Sequence, residues 1–276
     1  MNTIQKALAI ASLGVFSLTA QAATCTNDSF VITTMTSSVD ATSVLLPPGG
    51  IQSTSCYGVI AGNDAQGGTL EPNPNLGYLN DGLLNGEGGK ISPTQFISAS
   101  QLQGLENPNN LVDPGWIMLG TLGGNSGELN YYDKPLDISK LLTFEMFENA
   151  NGIGGTWSLT TVPNIVQILN DAGIFDRNYF DHLAFVVKAG SGPSDGGWAV
   201  YDFDFNILLA AFPGAFDLTT PYSFTGTWNM NDFGDKDISH MSVWARDPIS
   251  ANSVPVPGTV LLLGLGLVAL GFARRK

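Results

Sequence analysis

Nine short stretches rich in aromatic and β-branched residues, each fenced by Gly, Pro, Asn or Asp, restrict this chain to a fold of short strands. They cover residues 30–35, 116–122, 141–147, 157–162, 183–188, 198–205, 207–212, 222–228 and 241–245. Within 198–205 the pattern alternates: Ala199, Tyr201, Phe203 and Phe205 face one way, Asp202 and Asp204 the other. One helix is predicted over 165–172, with Asn164 as its cap, Ile165, Ile168, Leu169 and Ala172 on a stripe, and Gly173 as its stop. Nine strands and one helix predict a mainly β chain, a β-sandwich of jelly-roll type over residues 23–250. Residues 57–90, dominated by Gly and Asn, read as a long loop region crossed by short strands at Val59-Ile60 and 77–79. No internal repeat is evident.

The two ends do not belong to that domain. Lys6 is followed by an uncharged, mostly apolar run from Ala7 to Ala20, and Ala20-Gln21-Ala22 places small residues where a signal peptidase reads. Residues 1–22 are therefore expected to be a signal peptide, cut between Ala22 and Ala23. At the other end, Val254-Pro255-Val256-Pro257-Gly258 cannot open as a helix, because Pro255 and Pro257 carry no backbone donor. Residues 259–273 then carry no charge, and Arg274, Arg275 and Lys276 close the chain. A bilayer core needs roughly 17–25 apolar residues in a helix. A transmembrane helix over 258–273 is thus a marginal span, completed by snorkelling cations. The alternative, a buried C-terminal helix, fits poorly with a basic cluster ending an all-apolar run. Lys6 and the terminal cations both prefer the cytoplasmic side, so the two ends agree on one topology.

The tail, from the Pro-x-Pro segment through Gly258-Thr259, the glycine-spaced run 261–267, and Gly271-Phe272-Ala273 with the basic end, resembles the PEP-CTERM sorting signal. It departs from that pattern at Val256, where the family carries Glu. The blocks 183–190, 197–203, 223–228 and 237–243 are similar to sequence often found in the bodies of PEP-CTERM proteins. The resemblance implies a protein exported by a Gram-negative bacterium that makes exopolysaccharide. It further implies passage through an inner-membrane-anchored intermediate, removal of the anchor by an exosortase, and a final place at the cell surface or outside the cell, with biofilm exopolysaccharide as a partner. Sorting residues carried over are Val254, Pro255, Val256, Pro257, Gly258, Arg274, Arg275 and Lys276.

Four of the eleven cations (Lys6, Arg274, Arg275 and Lys276) lie in the two ends, while all 24 acids lie between them. The body therefore carries seven cations against 24 acids, a formal −17 compared with −13 for the whole chain. Such a surface repels nucleic acid and anionic lipid, and nucleic-acid binding is set aside. Cys25 and Cys56, the only cysteines, are expected to form one disulfide in an oxidising compartment, worth about 2–4 kcal/mol.

Little in the body points to chemistry. The chain lacks a Gly-x-Ser-x-Gly elbow, a His-Glu-x-x-His pair and a phosphate-binding loop, and His182 and His240 each begin a predicted strand. Glu145 and Glu148 invite a glycosidase reading, but three positions apart on a strand they point to opposite faces. Asp232, Asp235 and Asp237, with Asn229 and Asn231, read either as a solvated acidic loop or as a calcium site, the first being the default. Trp116, Trp157, Trp198, Trp228 and Trp244 read either as core residues or as platforms for sugars. Three classes follow: a non-catalytic exported protein, a carbohydrate-binding module that takes calcium or not, and a secreted glycoside hydrolase. The first is expected.

Overall fold

The computed structural model describes residues 24–64, 77–104, 112–131, 133, 136–172, 178–190 and 196–248. The expected signal peptide (1–22), the expected membrane helix (258–273) and the sorting residues all lie outside them. The strands are β1 (Phe30–Ser37), β2 (Ile51–Gln52), β3 (Ser55–Ile60), β4 (Gln103–Gly104), β5 (Val112–Asp113), β6 (Trp116–Gly123), β7 (Gly127–Glu128), β8 (Asn130–Tyr131), β9 (Leu142–Glu148), β10 (Gly154–Thr161), β11 (His182–Ala189), β12 (Trp198–Asp204), β13 (Tyr222–Asn229) and β14 (Ile238–Arg246). Two helices, α1 (Ile165–Asp171) and α2 (Phe205–Ala211), complete the set.

The strands form two six-stranded antiparallel sheets, in the orders β2-β1-β13-β10-β9-β7 and β3-β12-β11-β14-β6-β8, with β4-β5 as a separate pair. The first and second sheets lie face to face as a β-sandwich. Their inner faces meet through stacked rings: Phe30 lies 4.8 Å from Phe185 and 5.0 Å from Tyr201, and Trp157 lies 5.1 Å from Phe185. This apolar interior is the main source of stability, since each large ring removes well over 100 Å² from water.

The alternation expected in 198–205 holds as far as Asp204. Ala199, Tyr201 and Phe203 face the inter-sheet core, and Trp198 and Val200 the opposite side. The expected strand at 207–212 is instead part of α2. Asp204 accepts hydrogen bonds from the backbone N–H groups of Asn206 and Ile207, which caps a helix at a point where apolar content alone suggested a strand. The expected helix at 165 is α1, although Asn164 makes no side-chain cap bond.

The second sheet is buried on both sides, and all eight residues of β11 are inaccessible. Its outer face carries Trp116, Met118, Val186, Trp198 and Trp244, and residues 83–96 lie across it through Leu83, Leu84, Ile91 and Phe96. Much of the region read as loop is therefore a cover, and β3 forms a full strand at its start. No strand forms at 77–79. Asn85, fully buried, fastens the cover: its amide donates to the Trp116 carbonyl at 2.7 Å, and its carbonyl accepts from the Trp116 N–H at 3.1 Å. The disulfide joins Cys25 to Cys56 with Cα atoms 6.0 Å apart, tying the segment before β1 to the edge of the second sheet.

Gly226 is required by a close approach. A Cβ there would lie 2.2 Å from Cε2 of Trp157 and 2.2 Å from the Val31 carbonyl oxygen. Gly226→Ala should destabilise the domain by about 1–3 kcal/mol through overpacking. The neighbouring exposed change Thr227→Ala should stay within about 0.5 kcal/mol. Urea midpoints of the two variants check the contrast.

Candidate functional site

The strongest concentration of polar chemistry in the fold is a buried row at one end of the second sheet. Cross-strand register sets Arg246 of β14 opposite His182 of β11, and His182 opposite Asp204 of β12. Arg246, fully buried, donates to the Asp181 carboxylate at 2.7 Å, to the Pro114 carbonyl at 2.8 Å and to the Gln101 carbonyl at 3.2 Å. Asn206 of α2 donates to the same Asp181 carboxylate at 3.2 Å. His182 Nδ1 lies 3.0 Å from both carboxylate oxygens of Asp202, and Trp116 packs its ring against the imidazole at 5.3 Å. Nε2 of His182 has no hydrogen-bond partner among the described residues; Asp204 is 3.8 Å away and Asp181 4.0 Å.

Burial alone disfavours the imidazolium, but the charge and hydrogen bond of Asp202, followed by the charges of Asp181 and Asp204, outweigh it and raise the His182 pKa above its usual value. The Asp–His pair has the hydrogen-bond pattern of a base and its orienting carboxylate. Its free nitrogen, however, belongs to a side chain that is 1 % exposed. The pair ties β11 to β12 at a position closed to bulk solvent.

The acidic residues of 229–237 serve separate purposes. Asp232 accepts from the Thr26 N–H and hydroxyl, both at 3.0 Å, from the Ser29 hydroxyl at 2.6 Å and from the Tyr201 hydroxyl at 2.9 Å. Burial, and then the Asp232 charge, hold the Tyr201 phenol protonated well above its ordinary range, so it is a fixed donor. Asp237 accepts from Asn125, and Asp235 sits at a positive φ of 58°. Asp232, Asp235 and Asp237 are not gathered, and among the described residues no group of three or more His, Cys, Asp or Glu is arranged to hold a metal ion.

Glu145 and Glu148 are both exposed on β9, and Glu148 accepts from Asn125 at 2.6 Å. His240 pairs with buried Asp64 at 2.8 Å. All five tryptophans are core residues, none more than 3 % exposed, so none is a platform for a sugar ring.

Two surfaces went unread in the sequence. The outer face of the first sheet is a field of hydroxyls. Register aligns Thr36 with Ser223, Thr34 with Thr225, Ser158 with Thr225, Thr156 with Thr227, and Thr160 with Thr143. A bulge at Thr33 turns both Thr33 and Thr34 outward, and the hydroxyls of Thr34 and Thr225 lie 2.6 Å apart. Strand geometry spaces such hydroxyls about 4.8 Å across the sheet and about 7 Å along it. Phe147, opposite Thr156, is 53 % exposed at the margin. The second surface is an apolar pocket of about 110 Å³ between the sheets, lined by Leu119, Leu142, Leu159, Leu169, Phe216 and Phe224 among others.

Residues 253–276 match the PEP-CTERM protein-sorting motif, so the chain carries that motif at its C-terminus. No curated protein and no solved structure matches the chain. The motif indicates an exported protein sorted by an exosortase, with membrane-anchored transit before release at the surface. Among the described residues no helix is long and apolar enough to cross a membrane.

Because His182 holds its proton more tightly folded than unfolded, its contribution to stability is complete below about pH 6.5 and is lost as pH rises through the raised folded value. Urea unfolding followed from about pH 5 to about pH 9 should show this loss, and His182→Gln should remove that part of the slope. Asp202→Asn, which leaves the imidazolium without its main partner, should cost about 3–5 kcal/mol.

Proposed function

We propose that the chain is a non-catalytic protein of the cell surface or extracellular matrix, delivered by its PEP-CTERM tail and associated with exopolysaccharide in biofilm. The observation that carries this reading is the sorting motif at 253–276. The body is consistent with it: a disulfide-tied, strongly acidic sandwich suits an oxidising exterior. Signal peptidase acts at the N-terminal end, between Ala22 and Ala23, and exosortase at the other. Pro255, Pro257 and Gly258 supply the stiff segment that is recognised, and Arg274 and Arg275 hold the anchor in register.

A second reading, carbohydrate binding, is favoured by the hydroxyl field of the first sheet. A flat array of hydroxyls, bordered by the carboxylates of Glu145 and Glu128 and by one exposed ring, Phe147, presents the hydrogen-bonding groups and the apolar face that polyols use. This reading takes the binding as calcium-independent, since among the described residues no three carboxylates gather on the field.

Mass spectrometry of the mature protein should find its C-terminus within or just beyond 254–258. A surface pool that still ends at Lys276 would overturn processing and leave a membrane-anchored protein. Val256→Glu should hasten the disappearance of the precursor. For the second reading, a glycan array should give signals that are the same with and without calcium. Thr225→Lys with Thr227→Lys should weaken them about tenfold, the equivalent of about 1.4 kcal/mol; unchanged signals would discard the sheet face as the binding surface.

A further inference from the structure

The chain leaves the sandwich at Arg246, and an uncharged, partly exposed apolar segment lies close to that exit. Arg246, His182 and Asp204 lie on one row across β14, β11 and β12, so α2 begins two strand spacings, about 10 Å, from the point of exit. The twelve residues from Phe205 to Phe216 contain no charge, in a body of net −17. On α2 and the turn after it, Ile207, Ala210, Ala211 and Pro213 are exposed and Leu209 and Phe212 half-buried. Ile207 is 55 % exposed, one of four large apolar side chains so placed among the described residues, and the only one of them near the exit; Val39, Leu45 and Phe147 lie elsewhere. The apolar pocket opens at this same end, since Ala245, Leu183, Phe205 and Phe216 all line it. It continues the apolar surface inward from α2. The acids that flank the segment are occupied locally: Asp204 caps α2, and Asp217 accepts from the hydroxyls and N–H groups of Thr219 and Thr220.

The tether is short. Twelve residues lie between Asp247, whose N–H is bonded to the Gly115 carbonyl, and Val260, where the apolar run of the tail is under way. At no more than about 3.6 Å per residue they span at most about 45 Å. A domain held this close meets the bilayer at an effective concentration in the millimolar range, so even a weak apolar contact becomes occupied.

We propose that the α2 end of the sandwich is a bilayer-docking surface. While the chain is anchored, Ile207 and its neighbours rest in the interface of a neutral, zwitterionic membrane, and the domain stands on this end with its hydroxyl field sideways to the lipid. The inference rests on the sorting reading of the tail and adds an orientation to it. The partner is lipid rather than anionic headgroups, because the acidic body repels negative charge.

The test uses the full-length chain in phosphatidylcholine vesicles, with an environment-sensitive dye on Ile207→Cys or, as control, on Thr156→Cys of the hydroxyl field. Docking predicts a blue-shifted emission at position 207, and quenching by spin-labelled lipid at least about threefold stronger than at position 156; replacing a third of the lipid with an anionic one should reduce the difference. Vesicle-bound protein whose two positions report equal exposure to water would overturn the docking surface while leaving the sorting reading intact. Failure of the full-length chain to join vesicles at all would overturn both. In a second variant, Ala210→Glu with Ala211→Glu, both exposed and clear of the core, circular dichroism should be unchanged and the quenching at position 207 should fall to the control level.

Discussion

The guanidinium of Arg246 is the contact on which the arrangement of this molecule depends. It is fully buried and touches three separate parts of the chain, Asp181 ahead of β11, Pro114 ahead of β6 and Gln101 just beyond the cover, and through Asp181 it is linked to Asn206 on α2. A buried charge without partners costs several kcal/mol, so the ion cannot be accommodated until all these parts have arrived. The same row contains His182, whose pairing with Asp202, two residues along β12, fixes β11 to β12. Three strands, a helix and the cover thus share one electrostatic condition, and the apolar packing on either side only has to fill the shape that this condition sets.

Asp232 has a comparable place at the other end. Its carboxylate collects Thr26 and Ser29 from before β1 together with Tyr201 from the middle of β12. With the disulfide beside it, the start of the chain is held both covalently and by charge-assisted hydrogen bonds. A carboxylate that resembles a cation ligand in the sequence is, in the fold, saturated by hydroxyl and amide donors.

What the sequence made legible divides along a physical line. The strands could be read because alternation is local: Ala199, Tyr201 and Phe203 face the core for the same reason that they alternate. The sorting tail could be read because it is a linear signal. Three features depend on relations between distant residues and were hidden. The 207–212 stretch looks like a strand until Asp204 is seen to cap it. Leu83, Leu84 and Ile91 show no period because they join, from an irregular segment, the cluster built on the covered face of the second sheet. The hydroxyl field exists only once register brings Thr34, Thr225 and Ser158 side by side; separately, each is an ordinary strand threonine or serine.

The strand order also sets a timetable for export. β1 pairs with β13, nearly two hundred residues later, and β6 with β14. Neither sheet is complete until its late strand has been delivered, and contacts of such separation form slowly. In a chain exported N-terminus first, the sandwich therefore stays incomplete until β14, the last described strand, has crossed. Closing of the sandwich and arrival of the tail in the membrane fall in the same interval.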